Sequence, residues 1–330
     1  MIEEAARALT EGRRFLVTCH LSPDGDAIGS MLAVVHLLRA NARDAVAFHS
    51  EPVPGPYRFL AGADDVTCDP ALPGPFDTLV VVDVGERDRI PEELPAAADG
   101  ARVLVIDHHQ HHGDFGDVLW RRKASAVGEM IVELARHLGW QITPEFAECA
   151  YTAILTDTGS FRYSSTTSAC LEAAAFLVDH GVQPWKIASN VYESWPSSRL
   201  MLLGDVLGTL EVSCEGRYAS LVVSQQMLED REASIDMTEG FVNEGRRIEG
   251  VEVSALFREQ SPGCYRLSFR SRGRVDVATI AESLAGGGHR NAAGAMAQGS
   301  LAEVRERVTR LVEQALDDLD PDDEDCWSRH

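Results

Sequence analysis

Positive charge is scarce in this chain. Thirty Lys and Arg stand against 52 Asp and Glu, a formal net charge of −22. Sequence-independent binding to long duplex DNA rests on a basic surface, so that class of function is excluded. Long apolar runs are missing as well. No stretch approaches the roughly 18 residues that a membrane helix needs. The N-terminal residues 1–15 are polar and carry Glu3 and Glu4, unlike a signal peptide. The seven cysteines, at 19, 68, 149, 170, 214, 264 and 326, are odd in number and never at CxxC spacing. That excludes a disulfide framework and a structural zinc site, and a reduced, cytoplasmic setting is expected. What is present is ordinary for a globular protein: 45% apolar and 25% charged residues. At 330 residues the chain is too long for one core and suits two domains.

The first half alternates strand-like and helix-like segments. Phe15-Leu16-Val17-Thr18-Cys19 is a short run of strand formers that ends in the turn Ser22-Pro23-Asp24-Gly25-Asp26. Residues 27–39 follow with Ile28, Met31, Leu32, Val35 and Leu38 on one helical face. Residues 78–82 and 102–106 are unbroken apolar strands of the kind buried on both faces. Residues 125–138 and 144–155 read as helices. This rhythm predicts an α/β fold, a parallel sheet with helices on both faces, over residues 1–190. A connecting helix or linker is expected over 191–214. Residues 215–330 read as a smaller α+β domain, with strands near 218–224, 250–257 and 264–270 and helices near 275–284 and 301–319. The acidic run from Asp317 to Asp325 reads as a solvated terminus.

Acidic and imidazole side chains collect at the strand ends. His20, Asp24 and Asp26 follow the first strand, Asp83 the second, and Asp107, His108 and His109 the third. In an open α/β sheet, ligands bind beyond the carboxyl ends of the strands. Asp157 follows a helix and precedes Thr158-Gly159. Taken singly, each Asp is an ordinary turn former or helix cap. Together they would crowd like charges into one crevice, which is costly unless cations neutralise them. Mixed carboxylates and imidazoles suit Mn2+, with Mg2+, Co2+ or Fe2+ also compatible. There are more ligands than one ion needs, so two divalent ions roughly 3.5–4 Å apart are expected. His111 and His112 extend the run and read as loop residues.

The second half holds one sharp motif. Gly286-Gly287-Gly288-His289 follows a helix and leads into Asn291. Glycines let backbone N–H groups approach an anion. Arg270 and Ser271, at a strand end just upstream, are suitable phosphate donors.

The order His20-Leu21-Ser22-Pro23-Asp24-Gly25-Asp26, then Asp83, Asp107-His108-His109 and Asp157-Thr158-Gly159, resembles the DHH phosphoesterase superfamily. Gly286-Gly287-Gly288-His289-Arg290-Asn291 is similar to its DHH-associated C-terminal domain. The match runs over about residues 15–297, and the two-domain length resembles the nanoRNase branch, which combines oligoribonuclease and pAp phosphatase activity. The resemblance implies an active-site cleft between the domains. It implies that His20, Asp24 and Asp83 hold one Mn2+, and Asp26, Asp83, His108 and Asp157 the other, with Asp83 bridging. His109 would act on the scissile phosphate and Asp107 would orient a neighbour. Arg270, Ser271, Gly286, Gly287, Gly288, His289 and Asn291 would hold the far phosphate or sugar. Arg87 and Arg89 are further candidates for substrate contact.

The expected function is a cytoplasmic, Mn2+-dependent phosphodiesterase that cuts very short RNA to nucleoside 5′-monophosphates and also dephosphorylates pAp. The acidic surface agrees with a short substrate that needs no basic track. The rivals are a cyclic or linear dinucleotide phosphodiesterase and, from another class, a nucleotide-sensing module without turnover. The complete ligand set speaks against the sensor.

Overall fold

The computed structural model describes residues 2–109 and 113–319, so His111, His112 and the acidic run beyond Leu319 lie outside the described residues. The chain divides into two compact units, residues 1–194 and 195–330. Among the described residues, no helix is long and apolar enough to cross a membrane.

The first unit contains strands β1 (Arg14–Thr18), β2 (Asp44–Ala47), β3 (Thr78–Val82), β4 (Arg102–Asp107) and β5 (Val118–Arg121). Its helices are α1 (Ile2–Glu11), α2 (Gly25–Ala40), α3 (Val127–Leu138), α4 (Pro144–Asp157), α5 (Ser168–Asp179) and α6 (Pro184–Tyr192). The five strands pair in parallel in the order β2-β1-β3-β4-β5. Alternate residues of the buried strands serve two cores. Phe15, Val17, Val80, Val82, Leu104 and Ile106 pack with the α-helices. Leu16, Leu79, Val81 and Val105 face the other way, against Phe48, Phe76, Val84 and Ile90. The expected helical cover is therefore uneven. One face has α-helices, whereas the other has loops and short 3-10 turns at Arg87–Arg89 and Ala96–Ala98.

Small residues let α2, α3 and α4 approach closely. A Cβ at Gly29 would stand 2.6 Å from the Cys149 carbonyl oxygen, and one at Gly128 would stand 2.6 Å from the Ala153 Cβ and 2.8 Å from the Ala150 carbonyl oxygen. Backbone contact of this kind brings the start of α2 against α4, whose last residue is Asp157. Thr143 caps α4 by accepting from the Phe146 N–H, and Pro144 occupies its first turn.

The second unit contains α7 (Ser197–Leu207), β6 (Glu211–Ser213), β7 (Tyr218–Val223), α8 (Gln225–Asp230), α9 (Val242–Gly245), β8 (Val253–Ser261) and β9 (Cys264–Ser271). It continues with α10 (Val277–Glu282), β10 (Gly287–His289), β11 (Ala292–Gln298) and α11 (Leu301–Asp317). The mixed sheet runs β10-β11-β9-β8-β7-β6, with β7 and β8 the parallel pair. Val304, Val308, Val312 and Leu316 of α11 pack on one face with Phe257, Leu267 and Phe269. Leu202 and Val206 of α7 pack on the other with Leu221, Val223 and Leu256. The segment 191–214, read as a connector, thus gives α7 and β6 to this unit.

The glycine triplet is not a free loop after a helix. Gly287 and Gly288 enter β10, paired antiparallel with Gly294 and Ala293. A Cβ at Gly286 would lie 2.2 Å from the Gly294 carbonyl oxygen, and Gly288 combines a φ of 148° with a virtual Cβ 2.5 Å from the Ala293 Cα. Gly286 and Gly288 are what allow a tight hairpin edge here.

Candidate metal centre

Strand order reverses between β1 and β3, the place where doubly wound sheets bind ligands. His20 follows β1, Asp83 follows β3, and Asp107 ends β4 with His108 and His109 next. Asp24 caps α2, accepting from the Ala27 N–H at 3.0 Å, and Asp26 lies in the first turn of that helix. Asp24 is therefore a helix cap as well as a member of the cluster. Asp83 takes a left-handed φ of 59°, which Asp tolerates better than most residues.

The structure brings all six sequence-predicted ligands together. His20, Asp24 and Asp83 form one group whose ligand atoms lie within 4.8 Å of one another, and Asp26, His108 and Asp157 form another. Asp83 touches both. Its Oδ2 is 3.5 Å from His20 Nε2, and its Oδ1 is 3.4 Å from His108 Nε2. His20 Nε2 is 3.8 Å from Asp24, and His108 Nε2 is 3.7 Å from both Asp26 and Asp157.

These spacings are long for hydrogen bonds. They suit donor atoms that share a cation, whose neighbouring ligands stand roughly 3–3.5 Å apart when bonds are about 2.1 Å. Each imidazole is also held by its other nitrogen. His20 Nδ1 donates to the Leu21 carbonyl at 2.9 Å and His108 Nδ1 to the Ala124 carbonyl at 3.1 Å, which turns both Nε2 atoms to the carboxylates. Asp83 Oδ1 is buried and has no hydrogen-bond partner among the described residues. Oxygen and imidazole donors with an orphaned buried carboxylate oxygen fit divalent cations, and this cluster can hold them.

The electrostatics of the cluster agree. Burial pulls the His20 imidazole down, but Asp24 and Asp83 override it and raise it to about 10. Burial likewise opposes the charged form of His108, and Asp83, Asp26 and Asp157 raise it to about 11. Burial lifts the Asp157 carboxyl to about 6 against the pull of His108, with Asp83 and Asp24 adding to the rise. Burial and the neighbouring Asp83 also push Asp26 well up, whereas His108 and His20 hold Asp83 far below the usual range in spite of its burial. The cluster takes up protons where cations would otherwise supply positive charge.

Beside it, His109 Nδ1 donates to Asp107 Oδ1 at 2.7 Å, and the ring nitrogen is 3.6 Å from Asp83 Oδ1. Asp107 is fully buried, with Arg121 Nε 3.6 Å from its other oxygen. Nothing in the sequence pattern marks Arg121 as a partner of Asp107. It reaches Asp107 through the β4–β5 register, where the two residues are paired. The Arg89 guanidinium lies 3.3 Å from His20 Nδ1; Arg87 lies in the same 3-10 turn.

In the second unit, Arg270 pairs with Ala292 in the β9–β11 register, and the Ser271 N–H donates to the Asn291 carbonyl at 3.1 Å. Arg270, Asn291 and the glycine hairpin thus share one end of this sheet. The Ser271 hydroxyl is buried, donates to the Val275 carbonyl at 2.7 Å and accepts from the Gly273 N–H at 2.8 Å. Contrary to its reading as a phosphate donor, it braces its own turn. The backbone of His289 lies in β10, and its side chain is outside the described residues.

Known proteins share this arrangement of sequence. The DHH family, N-terminal domain, matches residues 14–154, and the DHHA1 domain matches residues 218–318. The bifunctional oligoribonuclease and PAP phosphatase NrnA of Thermus thermophilus is 35% identical over 320 residues, covering 96% of this chain and 94% of that protein. The probable bifunctional oligoribonuclease and PAP phosphatase NrnA of Streptococcus mutans is 32% identical over 288 residues, covering 86% and 89%. A crystal structure of an exopolyphosphatase-related protein from Bacteroides fragilis matches with a TM-score of 0.88 and 28% identity, over 96% of this chain and 95% of that one. With likeness at this level along almost the whole of each relative, and with the motif residues gathered at one sheet edge, the chain belongs to the DHH phosphoesterase family and is a hydrolase.

Proposed function

We propose that the protein is a two-cation phosphodiesterase, with Mn2+ preferred, that cuts very short oligoribonucleotides to nucleoside 5′-monophosphates and also removes the 3′-phosphate of pAp. The observation that carries this reading is Asp83, a buried carboxylate with one oxygen 3.5 Å from His20 and the other 3.4 Å from His108. A carboxylate so placed can serve two cations at once. The names of the Thermus and Streptococcus relatives support the substrate class.

In this reading His20, Asp24 and Asp83 hold one cation, and Asp26, Asp83, His108 and Asp157 hold the other. When bound, cations held there would neutralise charge at the phosphoryl oxygens and acidify the attacking water. Asp107 holds the His109 ring through Nδ1–H, so that the doubly protonated ring would pass its Nε2 proton to the leaving oxygen. Asp107 is a positioning residue and His109 the catalytic one. Arg270, Asn291, His289 and the glycine hairpin hold the non-reacting phosphate or sugar. The net charge of −22 disfavours a long polyanionic strand, which supports short substrates.

The test is a substrate panel under Mn2+: RNA of two to ten nucleotides, pAp, cyclic di-AMP and pyrophosphate. The expected result is monophosphate release from the shortest RNAs and phosphate release from pAp. Turnover confined to cyclic di-AMP or to pyrophosphate would replace this reading. Tight nucleotide binding with no turnover would make the protein a sensor.

A further inference from the structure

We infer that His49 and Glu51 form a positioning pair that sets the turn from His20 to Asp24, and through it the cation site of His20, Asp24 and Asp83. This rests on the two-cation reading above.

The turn between β1 and α2 is awkward to hold. Ser22 has a left-handed φ of 54°, strained for a residue with a side chain. Its carbonyl and amide groups must find partners outside the turn, and two of the three that do so come from the loop after β2, the neighbour of β1. His49 is fully buried, and its Nε2 lies 3.0 Å from the His20 carbonyl oxygen. A carbonyl only accepts, so Nε2 carries the proton. His49 Nδ1 lies against the Glu51 backbone, 3.0 Å from its amide nitrogen and 3.1 Å from its carbonyl oxygen, and these contacts hold the ring in place. The Glu51 carboxylate accepts the Ser22 N–H at 2.9 Å. The third partner is the Arg89 carbonyl, which accepts the Leu21 N–H at 2.8 Å. His20 is thus held on both sides, by Leu21 at its ring and by His49 at its backbone.

The other cation site has separate supports. Asp26 accepts from Ser30, Val127 and Gly128, and His108 donates to Ala124. None of these residues appears among the hydrogen-bond partners of His49 or Glu51. Loosening the clasp should therefore weaken one site and spare the other. Supports behind metal ligands are typically worth about 10–100-fold in affinity.

The experiment is Mn2+ titration of the full-length, metal-stripped protein, with free Mn2+ followed by electron paramagnetic resonance. Wild type is expected to bind two ions. His49→Leu is expected to weaken one by about 10–100-fold and leave the other unchanged. His49→Gln, whose amide nitrogen can still donate to the His20 carbonyl, should recover most of the loss. Glu51→Ala should weaken the same site, and it serves as the alternative probe if His49→Leu does not fold. Unchanged affinities in His49→Leu and Glu51→Ala, or equal weakening at both sites, would overturn the assignment. A second measurement needs no cation: in the metal-free protein, amide hydrogen exchange at Leu21 and Ser22 should quicken in either variant, and unchanged exchange there would also overturn it. A wild type that binds fewer than two ions would instead sink the two-cation reading, with the exchange measurement still deciding the role of the clasp.

Discussion

The backbone N–H of Val127 donates to the Asp26 carboxylate at 2.7 Å, across 101 residues of chain. Gly128 N–H and the Ser30 hydroxyl donate to the same carboxylate at 3.1 and 2.8 Å. The first turn of α3 thereby finds the acceptor that its free N–H groups need. Asp26→Ala would strand these donors in a buried place. It is expected to cost about 2–4 kcal/mol in the metal-free protein, measured by urea unfolding after chelation. A variant as stable as its parent would mean that relief from the Asp83 charge offsets the lost bonds.

Asp83 and His20 should differ sharply as ligands. Asp83→Ala removes both oxygens that face the two imidazoles, so both cations should be lost together with nearly all turnover. His20→Ala should weaken mainly one. Elemental analysis of the purified variants separates these outcomes, and two tightly held ions in Asp83→Ala would refute a bridging role.

Gly29→Ala tests the helix spacing behind the centre. Its Cβ would meet the Cys149 carbonyl oxygen at 2.6 Å and the Ala153 amide nitrogen at 2.9 Å, and these α4 backbone atoms cannot swing away. A loss of about 1–3 kcal/mol is expected from the overpacking. Separating α2 from α4 should also move Asp26 from Asp157, so Mn2+ affinity should fall in step with melting temperature. A drop in stability with full affinity would show that the helices part elsewhere.

The three hairpin glycines should not behave alike. Gly286→Ala and Gly288→Ala force contacts below 3 Å with β11, whereas a Cβ at Gly287 meets nothing within 4 Å. The first two are expected to lower the melting temperature and Gly287→Ala to leave it unchanged. If Gly287 presents its backbone to substrate, Gly287→Ala should raise KM for dinucleotides with stability intact. An unchanged KM would take Gly287 out of the substrate-binding set.

Cation binding should be coupled to protons. His20 and His108 sit at about 10 and about 11 in the metal-free fold, above the ordinary imidazole value of about 6.5. Their ion pairs therefore contribute stability that is fully present below pH 6.5 and is lost as pH rises through 10 to 11. A cation requires both rings neutral. Mn2+ affinity should consequently increase from pH 6 to 9, with release of at least about two protons per protein at pH 7, one from each imidazole, and more where Asp26 is protonated. Calorimetry in buffers of different ionisation heat measures that release, and identical heats in every buffer would contradict it.

Much of this centre can be read from sequence because its residues sit where runs of strand formers stop. Val80-Val81-Val82 ends in Asp83 and Val105-Ile106 in Asp107, so pattern and chemistry coincide. What escapes is whatever depends on distant pairing. Asp44–Ala47 is too short and too mixed to announce a strand, yet β2 places His49 beside His20. Arg121 meets Asp107 only through strand register. A glycine triplet is locally the same string in a loop or a strand, and only the close approach of Ala293 and Gly294 makes it an edge. Ser271 looks like a donor at a strand end until the turn folds Val275 back onto it.

The last of the six candidate ligands, Asp157, closes α4, and the first, His20, lies 137 positions earlier. During synthesis from the N-terminus, His20 to Asp83 emerge long before the carboxylate that completes the second group, at roughly 5–20 residues per second. The second group therefore cannot be completed before α4 is made, whereas His20, Asp24 and Asp83 of the first are all present by residue 83. Occupancy of both groups would report that the nascent chain has folded as far as the end of α4, with α5 and α6 still to be added.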